Sequence, residues 1–221
     1  MCSISVVDIS NISIINPNPT IEDYHDIGNK IKYCLEQIGF VYLSNHGINQ
    51  STIDAAMKSS MDFFNLEIEM KNKTRVGKDY QGWREEGREV FGQNREIRET
   101  YDLKNISSSG IFPDEVNLLI YCKVYNIYLP QDCPQLREAL VDLATCSKLL
   151  ASRLLKCISL SLGCDIDYLD SIHAGMLEQG SGTSVENCAS FRSIHYPPIP
   201  DNLVKQKSII RSLFWISAEQ E

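Results

Sequence analysis

The 221-residue sequence has no apolar run approaching the length of a membrane span, which excludes a hydrophobic transmembrane helix as an expectation. Positive charge is in the minority: 21 Lys and Arg stand against 29 Asp and Glu, for a formal net charge of -8. A surface with that balance repels a phosphate backbone, so no nucleic-acid partner is expected. The densest basic stretch, Lys71, Lys73, Arg75 and Lys78 in "MKNKTRVGK", reads as a solvated helix end and loop. None of the eight cysteines forms a C-x-x-C pair, and the start "MCSISVVDIS" lacks a basic segment followed by a long apolar one. The expectation is a cytoplasmic protein with free, mostly buried thiols. Internal repeats and low-complexity tracts are also missing. What remains, 43% hydrophobic and 23% charged residues, is the composition of a globular protein with enough chain for a sizeable core.

Periodicity places the elements. "ISVVDIS" (4–10) is a short strand rich in β-branched residues, and "NPNP" (16–19) breaks the chain. Thr20 with Asp23 predicts a capped helix whose apolar face carries Ile21, Tyr24, Ile27, Ile31, Leu35 and Ile38, ended by Gly39. "FVYLSNHG" (40–47) reads as a second strand. Ser51 with Asp54 predicts another cap, and Ile53, Met57, Met61 and Phe64 the inner face of the next helix. A short charged helix follows near 67–74. Glycines and polar residues dominate 75–110, apart from a strand at "ETYDLK" (99–104), and 111–130 stays ambiguous between loop and short element. The longest helix is expected from about Gln135 to Leu162, lined by Leu136, Leu140, Leu143, Leu150, Leu154, Ile158 and Leu162. A short helix at 165–177, a loop at 180–187 and strands at 189–196 and 207–214 complete the reading.

Six stretches then occur in a telling order: "ISVVDISNI", "CLEQIGFVYLSNHGI", "FFNLEIEMKNK", "RETYDL", "LREALVDLATCSKLLASRLLKCISLSLG" and "FRSIHYPPIP". Together they resemble the iron(II)- and 2-oxoglutarate-dependent dioxygenases of the isopenicillin-N-synthase-like group, over nearly all of residues 4–210. The resemblance implies an α+β fold in which a helix-rich N-terminal region packs on a double-stranded β-helix, a jelly roll. Residues 1–110 would be the N-terminal region, 111–211 the central helices and first part of the jelly roll, and 212–221 a divergent tail. It also implies two cofactors, Fe(II) and 2-oxoglutarate, and a small-molecule substrate. Two neutral imidazoles and one carboxylate hold the metal and leave positions open for the 2-oxo acid and dioxygen. Decarboxylation of 2-oxoglutarate to succinate then drives oxidation of the substrate. An arginine in an R-x-S pattern pairs with the far carboxylate of 2-oxoglutarate. A tyrosine just before the proline helps hold the same group, and Tyr196 stands there.

The rest of that pattern is missing from these residues. The four histidines, His25, His46, His173 and His195, are followed two positions on by Ile27, Ile48, Gly175 and Pro197, so no His-x-Asp exists. No histidine follows His195, and no arginine has a serine two positions on. "KSIIR" (207–211) still fits the family pattern, which stops at about Ser212; the expectation is a jelly roll left incomplete and a chain truncated before its metal ligands. His46 is expected in a turn, His25 in solvent, His173 at the edge of a short helix, and His195 packed on the sheet face opposite Tyr196. Arg84, Arg88 and Arg95 lie where relatives place substrate-facing residues, and read equally as an exposed mixed-charge loop.

Two functions stay open. One is a dioxygenase whose catalytic ligands these residues do not supply, with no metal residues and Tyr196 alone touching the cosubstrate. The other is a non-catalytic truncated isoform, an interaction module or a product without function. In either case strands that lose their partners expose ladder groups, which predicts low solubility, rapid turnover or a protein partner covering the open edges.

Overall fold

The computed structural model describes residues 3–76, 82–87, 90–91, 94–95, 97–104, 133, 135–173 and 190–198. Strand β1 (Val6–Asp8) leads through a 3-10 turn (Ser10–Ile12) to helix α1 (Ile21–Gln37), and β2 (Tyr42–Ser44) returns parallel to β1 with Val6 opposite Tyr42. Helices α2 (Gln50–Phe64) and α3 (Ile68–Asn72) follow. Then come β3 (Gly82–Arg84), the small antiparallel pair β4 (Val90–Phe91) and β5 (Asn94–Arg95), and β6 (Glu99–Lys104). Helices α4 (Gln135–Ser161) and α5 (Tyr168–Ile172) precede the last described strand, β7 (Ser190–His195). Strands β3, β6 and β7 form an antiparallel sheet in that order, with Asp102 opposite both Gly82 and Arg192.

Local signals set the starts of α1 and α2. The Thr20 side chain accepts from the Asp23 N–H at 3.1 Å, and Asp23 accepts from the Thr20 N–H at 2.9 Å, a reciprocal cap that satisfies two otherwise orphaned donors. Helix α2 is capped differently from the expectation. Asn49, not Ser51, precedes its first turn and accepts from the Ser51 N–H. Two reaches of chain counted as loop, at 82–84 and 90–95, contain strands β3, β4 and β5. Gly82 explains the first: its φ is +105°, and a Cβ there would stand 2.2 Å from the Thr74 carbonyl oxygen, so the close crossing of these backbones needs glycine.

The helices bury part of each apolar face read from the sequence, including Tyr24, Ile27, Ile31, Phe64, Leu136 and Leu140, and leave other members of those faces exposed. In α1 the inner residues are Tyr24, Ile27, Gly28, Ile31 and Cys34, while Ile21, Leu35 and Ile38 are exposed. In α2 they are Ala56, Ser59, Ser60, Phe63 and Phe64, while Met57 and Met61 are 59% and 61% exposed. Along α4 the buried row runs Leu136, Leu140, Ala144, Lys148 and Ser152 and continues at Cys157 and Ser159, while Leu162 is exposed. Small residues, Gly28, Ala56, Ser59, Ser60, Ala144 and Ser152, are interspersed in these rows. A Cβ on Gly28 would lie 2.3 Å from the Cys157 carbonyl oxygen, so α1 and α4 touch backbone to backbone.

Two apolar clusters result. One gathers Ala56, Phe63, Phe64, Trp83, Tyr101, Leu103, Cys133, Leu136, Leu140 and Ala144 between α2, the sheet and the first half of α4. The other gathers Val7, Ile9, Ile12, Tyr24, Ile27, Ile31, Cys34 and Cys157 under the β1–β2 pair. Helix α4 serves both, and its 27 residues give it a length of about 40 Å at roughly 1.5 Å per residue. Arg153, on its second half, donates to the carbonyls of Ile12 (3.1 Å), Ser13 and Asn16 (2.9 Å), tying the chain after β1 to the helix. The described cysteines are free, and Cys34, Cys133 and Cys157 are buried. The expected elements at 111–130, 180–187 and 207–214, and the tail 212–221, lie outside the described residues.

Candidate functional site

Strand β6 positions a different polar group on each face of the three-stranded sheet, because successive side chains alternate. Glu99, Tyr101 and Leu103 face the helices. Glu99 Oε2 accepts from Lys71 Nζ at 2.9 Å and from Trp83 Nε1 at 2.8 Å, and Oε1 meets His195 Nδ1 at 2.9 Å. Lys71 also donates to the Phe64 carbonyl at 2.9 Å, and the His195 ring stacks on Phe64 with centroids 5.3 Å apart. One carboxylate therefore joins α2, α3, β3 and β7. Burial alone would push the Glu99 carboxyl up; the hydrogen bonds from Lys71, His195 and Trp83, with the Lys71 charge, outweigh it and hold the group below its ordinary value. Burial pushes the neighbouring Tyr101 phenol up to about 12.

The opposite face carries Arg84, Thr100, Asp102, Arg192 and Ile194. Asp102 is 3% exposed, and its carboxylate accepts from Arg84 Nε at 3.0 Å and from Arg192 Nε and Nη2 at 2.5 and 2.9 Å. The two-point contact with Arg192 is the geometry that planar guanidinium favours. Tyr196 follows β7 directly and is 50% exposed.

The structure distributes the singled-out residues as follows. His195 packs on the helix side, opposite in alternation to Ile194. His46 sits in the turn before Gly47, where its Nδ1 accepts from the Ile48 N–H at 3.0 Å. His25 is exposed on α1, with Asn29 Nδ2 3.3 Å from its Nδ1. His173 is exposed after α5, its Nδ1 2.7 Å from the Leu169 carbonyl oxygen. Arg84 is not a loop residue: it ends β3 and holds Asp102. Arg95 stands in β5, and Arg88 lies outside the described residues. The basic stretch is not simply solvated either. Lys71 is largely covered and paired with Glu99, and Arg75 pairs with Glu85 while lying 5.7 Å from the Trp83 ring centroid. Sequence reasoning missed Glu99 and Asp102 as hubs. Two acids three apart in one short strand were the available signal, since that spacing sends them to opposite faces. Among the described residues no three His, Cys, Asp or Glu side chains converge as a metal would require, and no helix is long and apolar enough to cross a membrane.

The family model described as non-haem dioxygenase in morphine synthesis, N-terminal, matches residues 4–116. The chain belongs to the non-haem dioxygenase family. Among non-haem dioxygenases, a 2-oxoglutarate-Fe(II) type oxidoreductase, ppzC, of Metarhizium rileyi is 24% identical over 207 residues, covering 89% of this chain and 51% of the relative. Flavanone 3-dioxygenase 3 of Oryza sativa subsp. japonica is 25% identical over 186 residues, covering 83% and 49%. The chain thus spans about half the length of these curated relatives. The fold is shared with the crystal structure of a 2OG-Fe(II) oxygenase family protein from Caulobacter crescentus, at a TM-score of 0.63 and 20% identity over 90% of this chain and 58% of that one.

Proposed function

We propose that these residues form the N-terminal region and the first sheet of an Fe(II)- and 2-oxoglutarate-dependent dioxygenase that oxidises a small organic molecule, and that they do not bind iron by themselves. Family membership supports the first part. In this reading residues 1–110 are the N-terminal region, 111–211 contribute central helices and the opening strands of a jelly roll, and 212–221 depart from the pattern. The sheet β3–β6–β7, with helices on one face, supplies the start of that barrel. Its other face, with Tyr196 at the end of β7, is the side turned to the cosubstrate. Tyr196 contributes one hydrogen bond to the far carboxylate of 2-oxoglutarate, worth about 1 kcal/mol net, which is too little to capture a dianion from water alone.

The residues present do not fit an iron site. Two imidazoles are needed, and all four histidines of the chain are among the described residues. They stand on α1, in the turn before Gly47, after α5 and on β7. The one on β7 is stacked on Phe64 and bonded to Glu99, on the sheet face away from Tyr196. No step of iron chemistry can be built from these side chains. That placement of the histidines carries the proposal of catalytic incompleteness. The second reading is a non-catalytic form acting as an interaction module, favoured by β7, which among the described residues pairs only with β6.

Anaerobic titration calorimetry of the 221-residue chain with Fe(II) and 2-oxoglutarate tests the proposal. No heat of binding is expected for the pair, and stoichiometric binding of both would overturn it. Sequencing transcripts beyond the Arg211 codon separates the two readings. A continuing frame that encodes His-x-Asp and a later histidine supports the dioxygenase, and its absence supports the interaction module.

A further inference from the structure

We draw no further inference here: the strongest candidate, the exposed apolar outer face of the β1–β2 pair (Ile4, Val6, Phe40 and Tyr42) with the groove beside it between β1 and α1, is a surface on which nothing in the structure shows what sits.

Discussion

Glu99 concentrates more interactions than any other charged side chain of the sheet's helix side, so its substitution is the sharpest residue-scale test. Glu99→Gln keeps the shape but leaves the largely covered Lys71 without its counter-charge. Breaking one half of a buried pair costs about 3–5 kcal/mol, and a loss toward the low end is expected because Lys71 retains the Phe64 carbonyl. Urea denaturation of both proteins at neutral pH reads it directly. The same group gives an acid limb. Its folded carboxyl titrates below the unfolded value, so the unfolded chain binds the proton first as pH falls. The stabilisation is complete above the unfolded carboxylate range and disappears as pH drops through the folded value. Urea midpoints measured from pH 6 down to 3 should fall more steeply for the native protein than for Glu99→Gln, and parallel curves would contradict this. At this scale legibility follows chain distance. The Thr20–Asp23 cap spans three residues and was readable. Glu99 takes its partners from 28 residues before and 96 after, and no local pattern announces them.

At the scale of elements, the helices were readable and their inner faces only in part. Spacing of large apolar residues located α1, α2 and α4 to within a residue or two of their ends, because any amphipathic stripe reports a period. It found Tyr24, Ile27, Ile31, Phe64, Leu136 and Leu140 but missed the small members of the buried rows, because close helix crossing selects small residues, and Gly28, Ala56, Ser59 and Ala144 carry no hydrophobic signal that stands out. Two substitutions separate these views. Gly28→Ala should gain helix propensity of about 1 kcal/mol. The Cys157 carbonyl blocks the new methyl, and overpacking of this kind costs about 1–3 kcal/mol. Thermal unfolding should therefore show a net loss, and a raised Tm would mean that α1 and α4 part easily. Conversely, Met57→Lys and Met61→Lys should each leave stability within about 0.5 kcal/mol, as solvent-facing changes do. A large loss in either would restore the inner face read from spacing.

Across the whole molecule, the order of motifs made the family legible, since no single motif is decisive and their succession is. The histidine census limited the site for the same reason: ligand types can be counted without a structure. What could not be counted was how the sheet's border is finished. Among the described residues β7 pairs only with β6, and its exposed Ile194 faces outward. A strand border left without a partner recruits other strands. Light scattering after size exclusion should show concentration-dependent association that Ile194→Lys reduces, and a native protein that stays monomeric at high concentration would remove the need for a covering partner. The clasp of Arg153 on the carbonyls of Ile12, Ser13 and Asn16 has a consequence for protease digestion. A single cut within residues 16–19 would sever the covalent chain between β1 and α1, yet β2 and Arg153 would still grip the short N-terminal fragment. The nicked protein should travel as one species on a native gel and come apart only in denaturant, behaving as a non-covalent pair of fragments.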